Sequence, residues 1–193
     1  MKRIFRHTLL SLAVMAAALA LALLLGGPGV PAPMASINNP FKDVDSSGLP
    51  AISQLSARDG TRLAYRVYPA AGGQVKGSVV LVHGSSGSSR GMHTLGKAMA
   101  LAGYSAYALD IRGHGDSGPK GTIAYIGQLE DDLEDFLVTV RPARPITLGG
   151  FSSGGGFVLR FAGSARQKMF DNYLLLSPLL THKAPTFRPG SGG

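Results

Sequence analysis

Gly150-Phe151-Ser152-Ser153-Gly154, followed by Gly155 and Gly156, is the strongest chemical signal in the sequence. It fits the pattern G-x-S-x-G and falls between a predicted strand, Ile146 to Gly149, and a predicted helix, Gly154 to Ala165. In that setting a sharp turn lifts the serine hydroxyl above the strand ends and aims the helix N-terminus at it. Ser152 is therefore the candidate nucleophile. Small residues are needed around it because strand and helix nearly touch there. Ser153 is a rival by adjacency, but the residue two before it is Phe151, not glycine.

A second signal, His83-Gly84-Ser85, closes the predicted strand Ser78 to Val82. A loop at this place gives one backbone N–H to a developing oxyanion, and the residue after the nucleophile gives the other. The candidate donors are Ser85 and Ser153, and two such groups can stabilise the anion by several kcal/mol. His83 reads as a structural histidine that ties the loop down, because a proton-accepting histidine follows the serine in this chain order. The third signal is the polar loop Asp110-Ile111-Arg112-Gly113-His114-Gly115-Asp116-Ser117-Gly118. Asp110, His114 and Asp116 could hold a metal or move protons. A buried network shaping the floor of the site is the more economical reading. The chain has no cysteine, which excludes disulfides, a thiolate nucleophile, zinc–thiolate sites and a lipidated cysteine.

In this order and spacing, the three segments resemble the α/β-hydrolase superfamily. The likeness is greatest to its branch of monoacylglycerol lipases, lysophospholipases and proline-type serine aminopeptidases. That branch places HG after the third strand, D-x-R-G-H-G-x-S after the fourth and G-x-S-x-G after the fifth; all three are present, and the likeness covers about residues 55–180. The resemblance implies an α/β-hydrolase fold and a serine esterase acting on a small-molecule ester or lipid, with no cofactor and no metal. It also implies an acid after a later strand and a histidine beyond a cap. After Ser152 the sequence has only Asp171 and His182 for these roles. Asp171 precedes a strand and His182 falls where a cap begins, so neither fits. The sequence is thus expected to hold residues 51–193 of an incomplete hydrolase domain, its C-terminal strands and cap missing, and to hydrolyse esters poorly as it stands. The alternatives are a non-catalytic hydrolase-fold binding module and a nonfunctional fragment.

The elements that must position these residues alternate. Strand-like runs are Ile52 to Ala57, Leu63 to Tyr68, Ser78 to Val82, Tyr104 to Leu109, Ile146 to Gly149 and Tyr173 to Leu176. Helical spacing covers Gly91 to Ala102, Thr122 to Val140 and Gly154 to Ala165, and in the second of these Glu130, Asp131, Glu134 and Asp135 face water. Asp59-Gly60 marks a hairpin turn. Strands and helices alternating in this way imply right-handed crossovers and a mostly parallel sheet with flanking helices.

At the amino end, Lys2, Arg3, Arg6 and His7 precede 17 nearly unbroken apolar residues, Leu9 to Leu25. That length sits at the lower edge of the ~17–25 that span a bilayer and above the ~7–15 of a usual signal core. Residues 1–25 therefore read as a signal peptide or signal anchor, and 26–50 as a Pro/Gly-rich linker. Pro33-Met34-Ala35 makes a poor cleavage signal. The positive end stays in the cytoplasm, which places the domain outside it, exported or membrane-anchored through residues 9–25. Three of the 19 Lys+Arg lie in this segment; the other 16 face 11 Asp+Glu, so the body carries +5. Its basic residues are scattered without interleaved aromatics, which gives no nucleic-acid footprint.

Overall fold

The computed structural model describes residues 2–26, 45–121 and 123–181. It divides the chain into two compact units, Met1–Lys42 and Asp43–Gly193. The described part of the first is one helix, α1, Lys2–Leu25, with no buried residue. It is long and apolar enough to cross a membrane. Most of the expected linker, and His182 with the residues after it, lie outside the described residues.

The second unit is built on a six-stranded sheet: β1 (Ile52–Ser56), β2 (Arg62–Tyr68), β3 (Ser78–Val82), β4 (Ser105–Asp110), β5 (Ile146–Phe151) and β6 (Asn172–Leu176). The order is β1-β2-β4-β3-β5-β6. The β1–β2 hairpin and the β2–β4 pair are antiparallel; β4, β3, β5 and β6 are parallel. All five residues of β3, Ser-Val-Val-Leu-Val, are buried. A strand apolar on both sides must be covered on both faces, and it is. Val79 and Leu81 pack with Tyr68, Met92, Leu95 and Met99 on the side of α2 (His93–Leu101). Val80 and Val82 pack with Leu133, Phe136, Val158 and Phe161 on the side of α3 (Gln128–Val140) and α4 (Ser153–Ala162).

The chain leaves β3 through α2 to reach β4, then returns through α3 past β3 to β5. Strand order therefore reverses around β3, and ligand crevices open at the carboxyl ends of strands at such a switch point. His83, Ile111, Ser152 and Ser177 follow β3, β4, β5 and β6 directly and share that end.

Helix α3 starts later than the expected Thr122, at Gln128. Gly127 takes φ 106°, a left-handed value outside any right-handed helix. The Gln128 side chain then accepts the Ala124 N–H at 2.6 Å. The expected solvent face of α3 is also only partly correct: Glu130 and Asp131 are buried. Arginines from distant elements cover them. Arg160 of α4 pairs with Glu130, Arg166 reaches Asp131 at 2.6 Å, and Arg58 of the hairpin reaches Asp135 at 2.8 Å. An apolar period cannot announce such partners.

Phe136 is the centre of the α3 interface, 1% exposed, with its ring edge-on to Tyr65 at 5.3 Å and to Tyr107 at 5.6 Å. Phe136→Ala is expected to destabilise the domain by about 3–5 kcal/mol, read as a lowered urea midpoint at unchanged slope; a loss below about 1 kcal/mol would mean the helix is not packed this way.

Candidate active site

Ser152 is the turn between β5 and α4, and its backbone is strained, at φ 55° and ψ −118°. A non-glycine residue held there costs on the order of 1–3 kcal/mol, so the surroundings must hold it in place. They do so through the main chain. Ser152 N donates to Leu176 O at 3.0 Å, and Ser152 O accepts from Leu179 N at 2.9 Å and Gly156 N at 3.1 Å. The segment 176–179 after β6 thus straps the turn from one side.

The other side is closed by steric fit. A Cβ on Gly150 would lie 2.3 Å from Gly154 O, and one on Gly154 would lie 2.4 Å from His83 O. Any side chain at either position would force β5, α4 and β3 apart. Because Val82 pairs in register with Gly150, the next residues of the two strands run side by side. A Cβ on Gly84 would be 3.1 Å from Ser152 Cβ. The structure thus brings His83-Gly84 against the Ser152 turn, with Ser153 as the first residue of α4.

His83 is buried and both of its ring nitrogens are engaged. Nε2 accepts the Ile111 N–H at 3.3 Å, so the proton sits on Nδ1, which donates to Gly84 O at 2.8 Å. His83 is thereby a neutral strut between two loops, as the sequence suggests, and neither nitrogen is free to act on Ser152. His114 packs its ring 5.3 Å from His83 and bonds Arg112 O through Nδ1 at 3.2 Å. His93 is buried in α2, between the Tyr68 hydroxyl and Ser47 O.

The 110–118 loop is a network, as expected, but with different members. Asp110 is buried and its carboxylate accepts backbone N–H groups from Ser89 and Asp116. Asp116 contributes only that N–H; its side chain is exposed. The residue the sequence reading missed is Arg112. It is buried, bonds Asp132 through Nε at 2.8 Å, and reaches Asp59 and Thr61 through Nη1 at 2.7 and 2.8 Å. Its guanidinium holds Asp59 well below the usual carboxylate range. No local signal could have found these partners, which lie on the hairpin turn and on α3. Among the described residues there is no group of His, Asp or Glu that could hold a metal. Asp171 sits at the opposite end of the sheet from Ser152, accepting from Ile146 N at 2.6 Å and Arg144 at 2.7 Å.

Burial pushes the His83 imidazole below its ordinary value, with the Gly84 bond opposing and His114 adding to the shift. A depressed histidine costs stability as pH falls, because the unfolded chain takes up the proton near ~6.5 before the folded one does. The domain is expected to lose thermal stability between pH 7 and pH 5. In His83→Gln, which keeps an acceptor but cannot titrate, the melting temperature should depend less on pH over that window; an identical slope in the two proteins would refute the neutral strut.

A family model described as serine aminopeptidase, S33, matches residues 73–191. The chain is 36% identical over 113 residues to a monoacylglycerol lipase of Mycolicibacterium smegmatis, covering 55% of this chain and 39% of that one. It is 33% identical over 124 residues to the non-heme chloroperoxidase CPO-A1 of Kitasatospora aureofaciens, covering 64% and 43%. Among solved structures it superposes on a soluble variant of monoglyceride lipase from Saccharomyces cerevisiae, in complex with a substrate analog. That match has a TM-score of 0.59 and 26% identity, over 68% of this chain and 46% of that one. The chain thus spans less than half the length of each of these relatives. The matched region contains the strained serine turn, the loop after β3 and the loop after β4, and the chain belongs to the serine aminopeptidase S33 family of α/β-hydrolases, in the branch that includes monoacylglycerol lipases.

Proposed function

We propose that the protein is a serine hydrolase of carboxylic esters, acting on lipid or acylglycerol-like substrates, with Ser152 as nucleophile. The observation that carries this is the strained backbone of Ser152, held where α4 begins and with His83-Gly84 packed against it. Strain of this kind is maintained at sites that use it. The names of the lipase relatives support the ester class and an acylglycerol-like substrate.

In this reading the Ser152 oxygen attacks the ester carbonyl carbon and its proton passes to a histidine base. The oxyanion rests against the N–H groups of Ser85 and Ser153. The alcohol leaves with the proton, and water then cleaves the acyl-enzyme to release the acid. Among the described residues no histidine is hydrogen-bonded to the Ser152 hydroxyl. The reading therefore assigns neither the base nor its acid partner to a described residue. Helix α1, with Lys2, Arg3 and Arg6 ahead of its apolar run, supports export or anchoring with the hydrolase domain outside the cytoplasm.

In a version of the protein extended to include the triad histidine and acid, a fluorophosphonate probe should label Ser152. Labelling should vanish in Ser152→Ala and persist in Ser153→Ala; the reverse pattern would move the nucleophile to Ser153, and labelling of both variants would discard the serine assignment. For location, an alkaline phosphatase fused after residue 50 should be active in cells. An inactive phosphatase beside an active cytoplasmic reporter at the same junction would invert the topology.

A further inference from the structure

The loop at residues 84–89 carries Ser85 past Ser152, and most of it is exposed or half-buried: Ser85 and Ser86 face solvent. Ser86 also takes a left-handed φ of 55°. Within the loop, the turn is closed by Gly87 N bonding Gly84 O at 3.0 Å. A polar serine-glycine loop of this kind has little apolar surface to hold it, so its position must be set by the residues that grip its two ends. At the front end the grip is His83, which takes the Ile111 N–H. At the back end it is Ser89, whose backbone N–H donates to Asp110 Oδ1.

Asp110 and Ile111 are consecutive, so both ends of the loop are tied to one point at the carboxyl end of β4. That point is itself well held. The second carboxylate oxygen of Asp110 accepts Asp116 N–H at 2.8 Å. The Asp110 carbonyl accepts from the Ser117 hydroxyl, and that hydroxyl in turn accepts Ala64 N–H from β2 at 2.8 Å. Gly115 closes directly over the carboxylate: it has φ 50°, and a Cβ there would lie 2.2 Å from Asp110 Cγ. The loop after β4 is thus wrapped around Asp110, and Asp110 faces the loop after β3.

We propose that Asp110 is a positioning residue for the oxyanion loop, fixing the Ser85 N–H relative to Ser152 by gripping Ser89. This rests on the reading of Ser152 as nucleophile and assigns Asp110 no contact with substrate. The chemistry demands an acceptor on both oxygens, because each faces a backbone N–H that cannot turn around. In Asp110→Asn one of those N–H groups must meet an NH2 group instead, and a buried donor is left unpaired.

The test uses two variants in the full chain, extended in the same way. Asp110→Asn alters the acceptor. Ser89→Pro leaves both acceptors of Asp110 and removes the donor, along with the buried Ser89 hydroxyl, at the first position of a helical turn preceded by Ser88 in an extended conformation (φ −156°, ψ 175°), a setting proline tolerates. Amide hydrogen exchange is followed at Gly87, with β3 and β5 as internal references. Both variants should raise exchange at Gly87 by tenfold or more while the strands stay protected. Both should also slow fluorophosphonate labelling of Ser152 by about tenfold or more, since loss of one oxyanion donor costs ~10²–10³ in rate. Unchanged exchange at Gly87 overturns the grip. Raised exchange with undiminished labelling overturns the positioning role. Labelling that survives in a parallel Ser152→Ala sample overturns the nucleophile instead, and the exchange result still decides the grip on its own.

Discussion

The backbone of Ser152 is the constraint on which the rest of the structure depends. One residue must leave β5, turn through a left-handed conformation, and start α4 within hydrogen-bonding reach of β6. For that to happen β5 and α4 must approach until only hydrogen fits at Gly150 and Gly154, and β3 must lie flush beside them. The apolar sandwich of α2 on one face and α3 with α4 on the other supplies the cohesion that outweighs a strain of a few kcal/mol at most. The main-chain bonds to Leu176, Leu179 and Gly156 hold the turn in place.

The two loops beside it are built on a different physical basis. The Ser152 turn is held by packing and backbone bonds. The loops after β3 and β4 are polar and are held by buried hydrogen bonds, through His83, Asp110, Ser117 and Arg112. A buried polar network is stiff when every member is satisfied and costly when one is not. Arg112 extends that stiffness outward by joining the loop to the hairpin turn at Asp59 and to α3 at Asp132 in one guanidinium.

The parts of this arrangement encoded by short-range patterns were legible in the sequence. The continuous apolar run of β3, the Asp59-Gly60 turn and the glycines around Ser152 each state a local physical requirement, and each has its counterpart in the fold. Elements set by distant partners were not legible. Glu130 and Asp131 look like solvent residues on a helical wheel until Arg160 and Arg166 arrive from α4 and the turn after it. Arg112 looks like a loop cation until its two carboxylates, 53 positions before and 20 after, close around it. The strap from Leu176 to Leu179 has no sequence signal, because its bonds to Ser152 are made by main-chain atoms.

The arginine–carboxylate pairing has an electrostatic consequence beyond the fold. Asp59, Glu130, Asp131, Asp132, Glu134, Asp135 and Asp171 all spend their charge on Arg58, Arg112, Arg144, Arg160 or Arg166. The body has 16 Lys+Arg against 11 Asp+Glu, a formal +5, so what remains to face solvent is predominantly cationic. An excess of positive charge favours approach to an anionic surface through long-range attraction. The attraction reaches only about a Debye length, ~8 Å at physiological ionic strength. Rising ionic strength would therefore weaken that attraction and the exposed pairs of Arg58, Arg144, Arg160 and Arg166 together, while the Arg112–Asp132 pair, buried on both sides, is screened least.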